Sequence, residues 1–188
     1  MEFNWIEALA VVFGLVAVYF NTKEIVWGWP TGIVGVVLSG LLFYQVRLYS
    51  DLILHILYVG LGFYGWYEWL YGGKGQSTLR VSTLSPRQWL PLMALGAVGT
   101  FAIGYLFDRY TEADLAYWDA FTTSFSLVGQ YLLAKKKIEN WLLWIIVDLV
   151  ASGIYVYKEL YLLALLYFLY LGLATYGYRH WQKSMAYD

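Results

Sequence analysis

Residues Tyr58–Trp69 read YVGLGFYGWYEW, and residues Tyr170–Trp181 read YLGLATYGYRHW. At an offset of 112, Tyr58, Gly60, Leu61, Tyr64, Gly65 and Trp69 meet Tyr170, Gly172, Leu173, Tyr176, Gly177 and Trp181. Outward from there, Leu48 and Tyr49 meet Leu160 and Tyr161, Trp29 meets Trp141, Lys23 meets Lys135 and Tyr19 meets Tyr131. Phe13, Leu15 and Val16 meet Phe125, Leu127 and Val128, and Ala8, Ile33, Leu54 and Leu57 also match their mates. These are 18 identities over residues 4–69 without a gap. Biased composition alone would give about a third of that, so the chain is a duplication.

The repeated material is built for lipid. Of 188 residues, 61% are hydrophobic and 13% charged, and the mean hydropathy is +0.55. A soluble domain is about half apolar and a quarter charged, so too little polar surface remains to cover a water-soluble globule. The same figures exclude intrinsic disorder. A net charge of -1 gives no basic footprint for nucleic acid. The absence of cysteine excludes a disulfide framework and thiolate metal sites. What remains is an all-α, polytopic membrane protein.

Seven apolar segments are read: Trp5–Phe20, Trp27–Tyr49, Leu52–Tyr71, Trp89–Phe107, Trp118–Ala134, Trp141–Tyr157 and Tyr161–Trp181. Each spans or nearly spans a hydrocarbon core of roughly 30 Å at about 1.5 Å per residue. The first, fifth and sixth are short and call for flanking residues or a thinned bilayer. The ten-residue alternation of β-barrel strands is absent. Gly72–Arg87, GGKGQSTLRVSTLSPR, reads as a loop, and Asp108–Asp114 is a second polar stretch. No basic n-region or small-residue cleavage site marks a signal peptide.

The duplication covers segments one to three and five to seven. Segment four between them restores the starting side of the second triplet, which makes the repeat parallel: 3+1+3. The domain reading is a first three-helix bundle in 1–71, loop and connecting helix in 72–115, and a second bundle in 116–188. Parallel repeats of this kind occur in carriers such as SWEET proteins, with the substrate held near the midplane where the repeats meet. Lys23, Lys74, Arg80, Arg87, Lys135, Lys136, Lys137, Arg179 and Lys183 fall on one side, against Arg47, Arg109 and Lys158 on the other. The positive-inside rule then puts the N-terminus outside and the C-terminus in the cytoplasm.

No G-x-S-x-G, H-E-x-x-H or P-loop is present, so no enzyme, cofactor or metal is expected. His55 and His180 are too few for a metal site. The informative groups are polar ones inside spans, where charge is costly and faces a cavity or partner. Trp141, Trp144 and Asp148 lie at i, i+3 and i+7, on one helix face that Tyr155 continues. Their repeat mates are Trp29, Gly32, Val36 and Phe43, so one half supplies bulk and charge where the other is mostly small or apolar. Thr122, Ser126 and Gln130 form a second stripe, whose mates are Ala10, Gly14 and Val18. That second set reads equally as a stripe of small polar residues gluing helices together and as a ligand-lining face. The tryptophan–carboxylate face suits a flat, cationic, nitrogen-rich ring, because indole stacks on heteroaromatics and attracts cations. Gln45 and His55 are weaker candidates, since such residues in spans are more often interhelical hydrogen-bonding groups than ligand contacts. Glu7 and Asp119, repeat mates near the outer ends of segments one and five, suit helix N-termini.

Lys135–Asp148, KKKIENWLLWIIVD, with Trp118–Ser126, WDAFTTSFS, and Tyr64–Trp69, YGWYEW, resembles the PnuC family of vitamin transporters over essentially the whole chain. The resemblance implies a SWEET-like seven-helix fold in the inner membrane and a homotrimer. It implies facilitated diffusion of a vitamin, trapped by a cytosolic kinase. The nicotinamide riboside branch shares the tryptophans at Trp141 and Trp144, with Asn at the positions of Asp148 and Gly35. Trp29–Pro30, Asp119–Thr123 and Asp148 resemble the thiamine branch, PnuT. On that resemblance thiamine is the expected substrate and nicotinamide riboside, also a flat cation, the alternative.

Overall fold

A computed structural model describes residues 5–45, 47, 49–111 and 114–187. Leu48 of the repeat and the first residue it covers lie outside these, as do residue 46 of the second segment and residues 112–113 of the second polar stretch. Within them the elements run α1 (Trp5–Thr22), α2 (Gly28–Gln45), α3 (Tyr49–Tyr71), α4 (Pro86–Tyr110), α5 (Ala116–Ala134), α6 (Asn140–Tyr157) and α7 (Tyr161–Tyr187).

Helix ends follow local chemistry. Pro86 opens α4 at the first helical position, where its missing N–H is not needed. The Ser85 N–H and hydroxyl both donate to Gln88 Oε1, at 3.0 and 3.1 Å. The short segments gain flanking residues, so α1 and α6 reach 18 residues and α5 reaches 19. That is about 27 Å of helix. Helix α7 runs past the expected Trp181 to Tyr187. By length and hydropathy α1, α4, α6 and α7 can cross a membrane. The other three are richer in Trp, Tyr, Gly and polar residues, which lower hydropathy without preventing burial against other helices.

The chain divides into two compact units: one runs to Arg80 and takes in Ala134–Lys136, the other holds Val81–Leu133 and everything from Lys137 onward. Helix α4, expected as a connector, therefore packs within the second unit. Its Gly96 lies under Phe125 and its Gly99 under Ser124, where added β-carbons would stand 2.8 and 2.9 Å from those side chains. Such small residues let backbones approach in the absence of a hydrophobic drive between helices. Leu84, Val128, Leu132 and Leu143 form a buried cluster beside them.

The repeat identities mark one packing device made twice. In the first unit Trp29 is 2% exposed and meets Trp69 edge-on, ring centroids 5.5 Å apart. In the second, Trp141 is 2% exposed and meets Trp181 edge-on at 5.4 Å. Each first tryptophan lies flat on a glycine. A β-carbon at Gly177 would stand 2.7 Å from the Trp141 ring, and one at Gly65 would collide with Trp29. The pairing Trp–Gly–Trp is thus conserved between the halves because the indole occupies the volume of the missing side chain.

The polar stretch Gly72–Arg87 is docked rather than loose. Lys136 donates to the Leu79 carbonyl at 3.0 Å within the first unit. In the second unit Ile138 N–H donates to the Ser82 carbonyl, Lys137 to Ser82 Oγ, and Leu84 N–H to Glu139 Oε1 at 2.9 Å. Lys135 pairs with Glu68 at 2.8 Å and lies over the Tyr64 ring. Burial alone would lower the Lys135 ammonium, but the hydrogen bonds it donates to Glu68 and Tyr64 outweigh it and hold it above the ordinary lysine value.

Candidate functional site

Helix α6 is two-faced. Leu142, Ile146, Leu149, Gly153 and Val156 are exposed at i, i+4, i+7, i+11 and i+14, a stripe for lipid or apolar neighbours. The opposite face carries Trp141, Val147, Asp148, Ala151 and Ser152, all buried. Trp144 and Tyr155 are half-buried on the same side.

The four members of this face do different things. Trp141 is enclosed by Gly177 and Trp181, so its ring is a packing element of the second unit and offers no open face. Trp144 touches Gly129 of α5, where a β-carbon would stand 3.4 Å from its indole, and remains partly open. Asp148 is 3% exposed in a helix with no other acid or base. Its backbone carbonyl accepts the Ser152 hydroxyl at 2.7 Å.

Tyr155 begins a run of three rings. It stacks obliquely on Tyr167 at 5.1 Å, which meets Tyr170 edge-on at 5.8 Å. The first unit holds the counterpart built from the repeat mates: Phe43 meets His55 at 4.8 Å, and His55 meets Tyr58 edge-on at 6.2 Å. His55 is therefore the positional equivalent of Tyr167, one ring in an aromatic run. Gln45, at the end of α2, is exposed.

On α5, Thr122 and Ser126 return their hydroxyl protons to the Asp119 and Thr123 carbonyls one turn back, each at 2.9 Å. Gln130 is half-buried on the next turn of the same stripe. Asp119 itself pairs with Lys158 at 3.0 Å. Among the described residues no cluster of three His, Asp, Glu or Cys side chains suits a metal.

Within the second unit Trp144 of α6 thus lies on Gly129 of α5, and Tyr155 of α6 meets a pair of α7 rings, Tyr167 and beyond it Tyr170. The last two were not singled out from sequence. The signal for Tyr170 was available, since it is an invariant mate of Tyr58 spaced to face an i, i+3 neighbour. Chemically the set offers one carboxylate as charge and acceptor, phenols that donate or accept, and indole and phenol faces for stacking.

Comparison with known proteins agrees with this architecture. A family model described as nicotinamide mononucleotide transporter matches residues 4–183. The nicotinamide riboside transporter PnuC of Escherichia coli (strain K12) is 26% identical, over 97% of this chain and 87% of its own length. The riboflavin/roseoflavin transporter RibM of Streptomyces davaonensis is 27% identical, over 94% and 84%. A crystal structure of the vitamin B3 transporter PnuC superposes with a TM-score of 0.77 at 27% identity, covering 97% of this chain and 83% of that one. The relatives are carriers and not enzymes, and the chain belongs to the nicotinamide mononucleotide transporter family, as an integral membrane protein with seven helices.

Proposed function

We propose that the protein takes up nicotinamide riboside by facilitated diffusion with alternating access, the vitamin being trapped inside by phosphorylation. The observation that carries a cationic vitamin is Asp148, a buried carboxylate on the helix face it shares with Trp144 and Tyr155, in an otherwise uncharged helix; the choice of the riboside rests on the named relatives. A buried charge is retained against its desolvation cost where it has a partner. A flat cation supplies that partner, and the neighbouring rings supply its stacking surface. The named relatives support the riboside. Because one of them carries a different vitamin, the family alone leaves the substrate to the site. A second reading, thiamine, is favoured by the same carboxylate, which can accept hydrogen bonds from an aminopyrimidine edge. We place the protein in the inner membrane as a homotrimer that works alongside a cytosolic vitamin kinase.

Purified protein in liposomes is expected to equilibrate labelled nicotinamide riboside without ATP, to equal concentration on both sides. Accumulation against a gradient, abolished by a protonophore, would replace the uncoupled mechanism with proton coupling. Chemical conversion without uptake would make the protein an enzyme, and binding without flux a receptor subunit.

Orientation follows from the lysine and arginine asymmetry, nine against three. A fluorescent protein fused after the last residue is expected to be bright in a bacterial host. An active phosphatase reporter at the same position would reverse the topology.

A further inference from the structure

Glu24 and Lys136 are repeat mates, 112 residues apart, and they form an ion pair at 2.9 Å. Glu24 sits in the turn joining α1 to α2, and Lys136 in the turn joining α5 to α6. Both adopt left-handed backbone, φ 58° and 51°, which residues other than glycine rarely take. Both turns follow an odd-numbered helix, so seven spans put them at the same membrane face. A duplicated chain begins with identical mates, and identical charges brought together repel. Divergence to opposite signs is what converts such a meeting into a bond. The same divergence recurs in the turns at the opposite face. There Arg47 and Glu159 are mates, with φ 61° and 58°, and both are exposed.

Lys136 is spent entirely inside the first unit, although its chain neighbours from Lys137 onward belong to the second. Besides Glu24 it donates to the Leu79 carbonyl at 3.0 Å and lies 4.8 Å over the Trp69 ring. Its side chain is 9% exposed and that of Glu24 is 20%. The lysine end of the pair is thus sheltered from solvent and the glutamate end is open to it, so loss of Glu24 leaves a buried ammonium short of compensation.

Resting on the transport reading above, we propose that Glu24–Lys136 is a charge lock that holds the segment Ala134–Lys136 on the first unit and opens once in each transport cycle. Opening frees the segment Ala134–Lys136 from the first unit.

The chain has no cysteine, so one introduced thiol reports alone. Ala134 is 0% exposed within that segment. Ala134→Cys is expected to react slowly with a water-soluble maleimide. Glu24→Gln should speed the reaction about tenfold, the size of one charge-assisted hydrogen bond. It should slow vitamin exchange in liposomes by a similar factor. On a Lys136→Gln background the same Glu24→Gln change should do nothing further to either quantity. Lys136→Gln alone should be the stronger variant, because it also loses Leu79 and Trp69. Faster labelling with unchanged exchange would reduce the pair to a static staple and overturn the lock. Unchanged labelling, or Glu24→Gln acting equally on both backgrounds, would overturn it too. Labelling needs no substrate, so a parent protein that transports nothing would be seen separately, as failure of the transport reading.

Discussion

Replacing Trp141 with alanine is expected to destabilise the protein by about 3–5 kcal/mol, the cost of emptying a large aromatic site that cannot collapse. The ring fills the notch over Gly177 and closes edge-on against Trp181. In lipid the loss is one of packing, since apolar surface gains little by leaving one hydrocarbon for another. Trp29→Ala should behave alike, because Trp69 and Gly65 build the same socket. Trp144→Ala should leave stability within about 1 kcal/mol, as expected for a partly open side chain, yet weaken binding of a flat vitamin. Thermal unfolding in detergent, followed by loss of the monodisperse species, measures all three. Equal stability losses at Trp141 and Trp144 would contradict the division into a packing ring and a site ring.

Asp148→Asn should affect binding and stability in different directions. Removing the carboxylate charge is expected to weaken a cationic vitamin about ten- to a hundredfold, the value of one charge-assisted hydrogen bond of roughly 1.5–3 kcal/mol. Stability should stay level or rise, because an amide of the same shape is cheaper to bury than a carboxylate. Titration of parent and variant with the same vitamin, alongside their unfolding midpoints, checks both signs. Parent affinity in the variant would remove Asp148 from the site. A variant that fails to fold would make Asp148 a structural residue.

The fold was legible because lipid imposes one rule on every span, and because duplication left its register intact. The helix ends of α6 were readable to within a residue from Trp141 and Tyr157, whereas α7 overran by six residues since Gln182–Tyr187 continues as amphipathic helix once outside the apolar run. What the repeat identities meant was not legible. Trp29, Gly65, Trp69 and their mates were preserved as a three-residue socket that only a structure displays. Helical periodicity put the tryptophan at 141 on the ligand-facing side without showing that Gly177 and Trp181 also pack against its ring. His55 drew notice as a titratable group in a span, yet its place is that of Tyr167 in the other half, a ring between rings. Tyr170 was marked only as the repeat mate of Tyr58, which registers a duplicated position without assigning it a role among nineteen tyrosines. Asp148 was visible from both directions, because a lone acid in an apolar helix is conspicuous in sequence and its burial in the structure is the same fact.

The central claim is that a flat cationic vitamin binds the carboxylate and rings of the second unit, and calorimetric titration of the purified protein addresses it most directly. Nicotinamide riboside, thiamine and riboflavin should be titrated side by side against the same preparation and against Asp148→Asn. One site per chain is expected, tightest for nicotinamide riboside, weaker for thiamine, weakest for uncharged riboflavin, with the two cations losing affinity in the variant. Tightest binding of riboflavin, or cation affinities that ignore the loss of the carboxylate, would contradict it.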